Sequence, residues 1–89
     1  MPRIRVLFHG RVQGVGFRAT VRSLAQRQPV TGFVRNRSDG AVELEAQGAL
    51  HHIEALLTEI LRQFAGYVTD MDRTELSEIA GETEFTVRY

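Results

Sequence analysis

Residues 9–20 read HGRVQGVGFRAT, and a change of periodicity across them decides the fold. Before this stretch, Ile4, Val6 and Phe8 fall on one face of an alternating segment, which predicts a strand from Arg3 to His9. After it, Phe17, Val21, Leu24 and Ala25 recur at helical spacing and predict a helix to about Gln28. Pro29 cannot continue that helix. Glycines 10, 14 and 16 join the two elements, so the stretch is a strand-to-helix turn built on residues that tolerate positive φ.

Outward from this turn the pattern repeats. Val30 to Asn36 reads as a short strand, and Arg37-Ser38-Asp39-Gly40 as a turn. Val42, Leu44 and Ala46 then alternate with Glu43 and Glu45. Ile53, Leu56, Leu57, Ile60, Leu61 and Phe64 form one helical stripe that Gly66 ends. Tyr67 to Ser77 is a weaker strand in which Val68 and Met71 are out of phase, so a bulge is expected. Its Asp70, Asp72, Glu75 and Glu78 suit a solvated sheet edge. Phe85, Val87 and Tyr89 alternate in a short final strand. The order βαββαβ plus a last strand predicts an α+β, ferredoxin-like (split βαβ) sandwich over residues 1–89. An antiparallel sheet would carry both helices on one face.

Composition narrows the function classes. A chain of 89 residues suits a single domain and buries roughly 60–65% of its unfolded surface. Eleven basic residues balance eleven acidic ones, which gives no field to hold nucleic acid. All eleven are arginine, so chemistry that depends on lysine is excluded. There is no cysteine, and Met1-Pro2-Arg3-Ile4-Arg5 lacks the apolar run of a signal peptide. A cytoplasmic location without membrane association is expected.

The glycine turn admits several readings. Backbone N–H groups of Gln13, Gly14, Val15, Gly16, Phe17 and Arg18 at a helix start can surround a phosphoryl group. Arg18 adds a guanidinium there, against the helix dipole unless an anion is present. A plain tight turn fits the glycines equally well. Gly14-Val15-Gly16-Phe17-Arg18-Ala19 also matches a dinucleotide fingerprint, but the chain is too short for a doubly wound sheet, and Arg35-Asn36 stand where an acidic residue is wanted. The lysine-bearing phosphate loop fails for want of lysine.

Two blocks settle the choice. Gly10-Arg11-Val12-Gln13-Gly14-Val15-Gly16-Phe17-Arg18 and Gly32-Phe33-Val34-Arg35-Asn36-Arg37-Ser38-Asp39-Gly40-Ala41-Val42-Glu43 resemble the acylphosphatase family. The resemblance runs on through Gly48 to Phe85-Thr86-Val87-Arg88-Tyr89. It departs from the family at Arg27-Gln28-Pro29-Val30, where a glycine is common. The resemblance implies a ferredoxin-like fold and metal-free hydrolysis of carboxylic–phosphoric anhydrides to carboxylate and phosphate. It also implies that Arg18 and Asn36 are catalytic and that no cofactor is needed. The expected ligand is a small-molecule acyl phosphate, with inorganic phosphate or sulfate as competing anion, and the expected state is a monomer.

Such a fold places Arg18 and Asn36, eighteen residues apart, near one another. Strands one and two run parallel with strand three between them, so their ends lie about 10 Å apart at one sheet edge. An acyl phosphate needs little more than positioning and charge neutralisation, since its carboxylate leaves without a general acid. Asn36 is no base, but its carboxamide can hold a water in line with phosphorus. Phe17 is expected in the core. His9, His51 and His52 read as surface residues, the last two diverging on their helix, and no metal site is evident. The alternative is a non-enzymatic phosphate- or carbamoyl-phosphate-binding module of the hydrogenase-maturation type. RNA binding on this fold would need exposed aromatics on strand three, which offers Val42, Leu44 and Ala46 instead.

Overall fold

A computed structural model of the chain describes residues 1–89. The elements in order are β1 (Arg3–Gly10), α1 (Phe17–Ala25), β2 (Thr31–Asn36), β3 (Val42–Gln47), α2 (Leu50–Gln63), β4 (Val68–Leu76) and β5 (Phe85–Arg88). The sheet order is β4-β1-β3-β2-β5. β1 and β2 both pair antiparallel with β3, so they run parallel to one another with β3 between them. β5 adds to β2 in parallel, which makes the sheet mixed where a purely antiparallel one is expected from sequence. The reason lies in the connection: residues 77–84 carry the chain from β4 at one edge to β5 at the other.

The register puts Ile4, Val6 and Phe8 of β1 opposite Ala46, Leu44 and Val42 of β3, with Val34 of β2 on the same face. That face packs against Phe17, Val21 and Leu24 of α1 and Ile53, Leu56 and Ile60 of α2 in one buried cluster. Phe17 sits at the join, its ring 5.2 Å from that of Phe8 and 4.5 Å from that of Phe64. A ring held on both sides fixes where α1 begins.

α1 is shorter than its periodicity predicts. It ends at Ala25, and Arg27 and Gln28 donate backward to Leu24 and Ala25 in tighter turns. Pro29 restricts the residue before it and offers no N–H, so the last turn cannot stay α-helical. β4 is a nine-residue strand with the expected irregularity: His9 pairs with Asp70 and Gly10 with Val68, leaving Thr69 as an extra residue. The bulge brings Val68 and Met71 into phase, and both pack against the core.

The other face of the sheet is held by polar pairs. Arg3 is only 1% exposed, and it donates to Glu45 (2.8 Å), Gln47 (3.1 Å) and Glu82 (2.8 and 3.2 Å). Gln47 in turn binds the backbone of Ile79 at both ends, so residues 79–82 close over Arg3. Burial opposes the charge on Arg3, but the hydrogen bonds and attraction of Glu82 and Glu45 outweigh it and raise its pKa. Burial likewise pushes Glu82 up, and the Arg3 and Thr31 bonds with the nearby Arg88 charge more than reverse it, so its pKa is lowered.

Glu82→Gln is therefore expected to lower the unfolding free energy at pH 7 by roughly 1–3 kcal/mol. A carboxylate with a depressed folded pKa stabilises above its ordinary pKa, 4.5, and that stability is lost as the pH falls through the folded value. Urea unfolding across pH checks this: wild type and variant should differ at neutrality and converge in acid.

Candidate active site

The turn between β1 and α1 opens toward the end of the sheet where β2 also finishes. Gly14 and Gly16 lie in the left-handed region, at φ +76° and +77°. A Cβ built on either would meet nothing within 4 Å, so conformation rather than crowding requires glycine there. Gly16 caps α1 without a side-chain bond. From Val12 to Ala19 no backbone N–H donates to a backbone carbonyl; the next residue, Thr20, bonds Gly16. Such a run of free donors at a helix start favours an anion.

Two ties hold the turn open. The Gln13 side chain reaches away from it, and Nε2 donates to the carbonyls of Arg37 (2.8 Å) and Ala41 (3.0 Å). The turn is thereby braced against the β2–β3 connection. That connection is itself stiff: Asp39 accepts from the Ala41 N–H, and this bond, helped by Arg37, holds its carboxyl below the usual range. The other tie is Phe17, buried in the core directly after Gly16.

A cleft of about 580 Å³ opens beside the turn, between α1, the end of β2 and β5. Val12, Gly14, Gly16, Phe17, Arg18 and Asn36 are among the residues that line it. Arg18 and Asn36 are thus brought together as the sequence predicts. The Arg18 Nη1 donates to the carbonyl of Arg88 at 3.5 Å, and its guanidinium lies 4.8 Å from the Tyr89 ring centroid. Asn36 pairs with Val42 on the core-facing side of the sheet, and its Oδ1 is buried without a hydrogen-bond partner.

Gln13 and Val15 do not line the cleft with their side chains; their expected part is confined to backbone N–H groups. Sequence reasoning missed Val12, Ala19, Arg22, Ser23, Thr86, Val87 and Tyr89, which also line the cleft. The parallel addition of β5 brings the last three there, and no local pattern announces that pairing. His9 lies outside the cleft and bonds Asp72 at 2.8 Å on the opposite sheet face. The His51 and His52 rings, expected to diverge, turn toward one another with centroids 3.9 Å apart.

Residues 4–87 match the family model described as Acylphosphatase. Across an alignment of 92 residues that spans both chains fully, the sequence is 41% identical to an acylphosphatase of Oceanobacillus iheyensis. The crystal structure of the acylphosphatase from Bacillus subtilis superposes with a TM-score of 0.89 at 33% identity, covering all of both chains. Full-length HypF in its phosphate- and nucleotide-bound form matches at 26% identity and TM-score 0.83, over 99% of this chain but 12% of that one. With these agreements added to the turn and the cleft, the chain belongs to the acylphosphatase family.

Because Gly16 is needed for its backbone angle in open space, Gly16→Ala should destabilise by about 1 kcal/mol. Gly16→Asn, which tolerates that angle and caps helices well, should cost markedly less. Denaturant unfolding of the two variants beside wild type checks the order.

Proposed function

We propose that the protein is an acylphosphatase: it hydrolyses carboxylic–phosphoric anhydrides to carboxylate and inorganic phosphate. The observation that carries this reading is the pairing of a donor-rich turn with a lone buried acceptor, Asn36 Oδ1, across one cleft. A buried acceptor without a partner costs about 1–3 kcal/mol, and its position beside the cleft supports use rather than accident. Full-length agreement with an acylphosphatase supports a hydrolase over a purely binding module.

The phosphoryl group sits on the N–H groups of Gln13 to Arg18, where the helix start and the Arg18 guanidinium offset the charge of its oxygens. Asn36 accepts a hydrogen bond from a water and holds it opposite the acyl oxygen. The water oxygen bonds phosphorus as the bond from phosphorus to the acyl oxygen breaks. The electron pair leaves with the carboxylate, and the water's proton passes to solvent. No general acid is required, because a carboxylate is a weak base. The Arg88 carbonyl and the exposed Tyr89 ring lie beside the Arg18 guanidinium, contacts of modest strength.

All of these groups come from one sheet and one core, which supports a single domain over 1–89 that acts as a monomer. The balanced charge supports neither nucleic acid nor a membrane surface as partner. The lack of cysteine suits a reducing compartment, and the cytoplasm is proposed.

Steady-state hydrolysis of benzoyl phosphate, with and without chelator, tests the reading. Wild type should turn over in both conditions. Arg18→Ala should lose on the order of 10²–10³ in rate through the lost charge clamp. Asn36→Ala should also lose about 10² or more while its unfolding free energy does not fall, since it removes an unpaired buried oxygen. Inorganic phosphate and sulfate should inhibit competitively and raise the melting temperature. An inert wild type that phosphate still stabilises would turn the conclusion to anion binding alone.

A further inference from the structure

We infer that Arg22 reads the acyl half of the substrate and favours acyl phosphates whose acyl group carries a second negative charge, such as a carboxylate. This rests on the acyl phosphate reading above. The cleft does not stop at the phosphate-sized turn. It continues along α1 past Ala19 to Arg22 and Ser23, with Thr86 and Val87 of β5 as the facing wall. A phosphoryl group seated at the turn would leave this stretch of the cleft open to the acyl group.

Arg18 and Arg22 stand four residues apart, about 6 Å along the helix, and both line this one cleft. Like charges at that spacing disfavour a helix by a few tenths of a kcal/mol. Elsewhere on the chain Arg5, Arg11, Arg27 and Arg88 have no carboxylate partner, whereas Arg3, Arg35, Arg37, Arg62 and Arg73 each pair with one. Arg18 and Arg22 do not, and no acidic residue lines the cleft. Glu84 borders a second hollow that Arg22 also lines, without an ion pair between them. One guanidinium suffices for the phosphoryl group. The second lies beyond an apolar stretch of Ala19 and Val87, where a neutral acyl group would leave it unpaired and an anionic one would not.

The experiment compares a matched pair, benzoyl phosphate and 4-carboxybenzoyl phosphate, which share ring and anhydride and differ by one carboxylate. The readout is the ratio of their kcat/KM values. Arg22→Gln should lower the ratio of charged to uncharged substrate about five- to tenfold, chiefly through KM, as expected for losing one charge-assisted contact. Added salt should lower the same ratio in wild type. Arg27→Gln changes net charge equally but lies outside the cleft, and it should hold the ratio within about twofold of wild type. Hydrolysis of both substrates with a ratio indifferent to Arg22, or moved as far by Arg27→Gln, overturns the inference alone. A wild type that hydrolyses neither overturns the hydrolase reading and the inference with it.

Discussion

Backbone N–H groups without carbonyl partners, from Val12 to Ala19, are the constraint around which this small protein is organised. Left to itself, a loop of this kind would close on its own carbonyls or collapse against neighbouring chain. Here Gly14 and Gly16 take the left-handed angles the turn requires, the Gln13 carboxamide ties the loop to the β2–β3 connection, and Phe17 pins the helix start into the core. Each tie acts from behind the loop, so its open side stays available. Donors fixed before a ligand arrives need little reorganisation when charge develops on it, and that suits phosphoryl transfer.

The rest of the fold supplies stiffness on the far side of the sheet. That face is not apolar. Arg3 gathers Glu45, Gln47 and Glu82, and Gln47 anchors the segment that crosses from β4 to β5. This crossing delivers β5 to the free edge of β2, in parallel with it. A polar cluster far from the cleft thereby sets where Thr86, Val87 and Tyr89 stand beside Arg18. Stability and site geometry are joined through one loop.

Within the cleft the chemistry is sparse, and the reaction asks for little more. An anhydride with a carboxylate leaving group needs neutralised phosphoryl oxygens and an aimed water. In the proposed mechanism Arg18, the turn and Asn36 supply these, with no acid or base. The cleft also holds a second guanidinium without an ion pair, Arg22, which we infer reads the acyl group.

Much of this was legible in the primary structure, because the signals are local. Period two in Ile4–Phe8, helical spacing from Phe17 and from Ile53, and Asp39-Gly40 all report short-range sterics and burial. The glycine turn with Arg18, and Asn36 at the end of the second strand, were readable through the family resemblance. The α1 end was overrun by three residues, since periodicity does not feel the restriction Pro29 imposes on residues before it. The out-of-phase Val68 and Met71 signalled a bulge, but its place at Thr69 depended on pairing with His9 and Gly10. The stacked His51 and His52 rings were likewise a matter of rotamers. What only the tertiary structure decided was the parallel β5, the outer wall of the cleft, the inward brace of Gln13 and the company Arg22 keeps. These are contacts between residues tens of positions apart, fixed by strand order and side-chain direction, and no local periodicity encodes them.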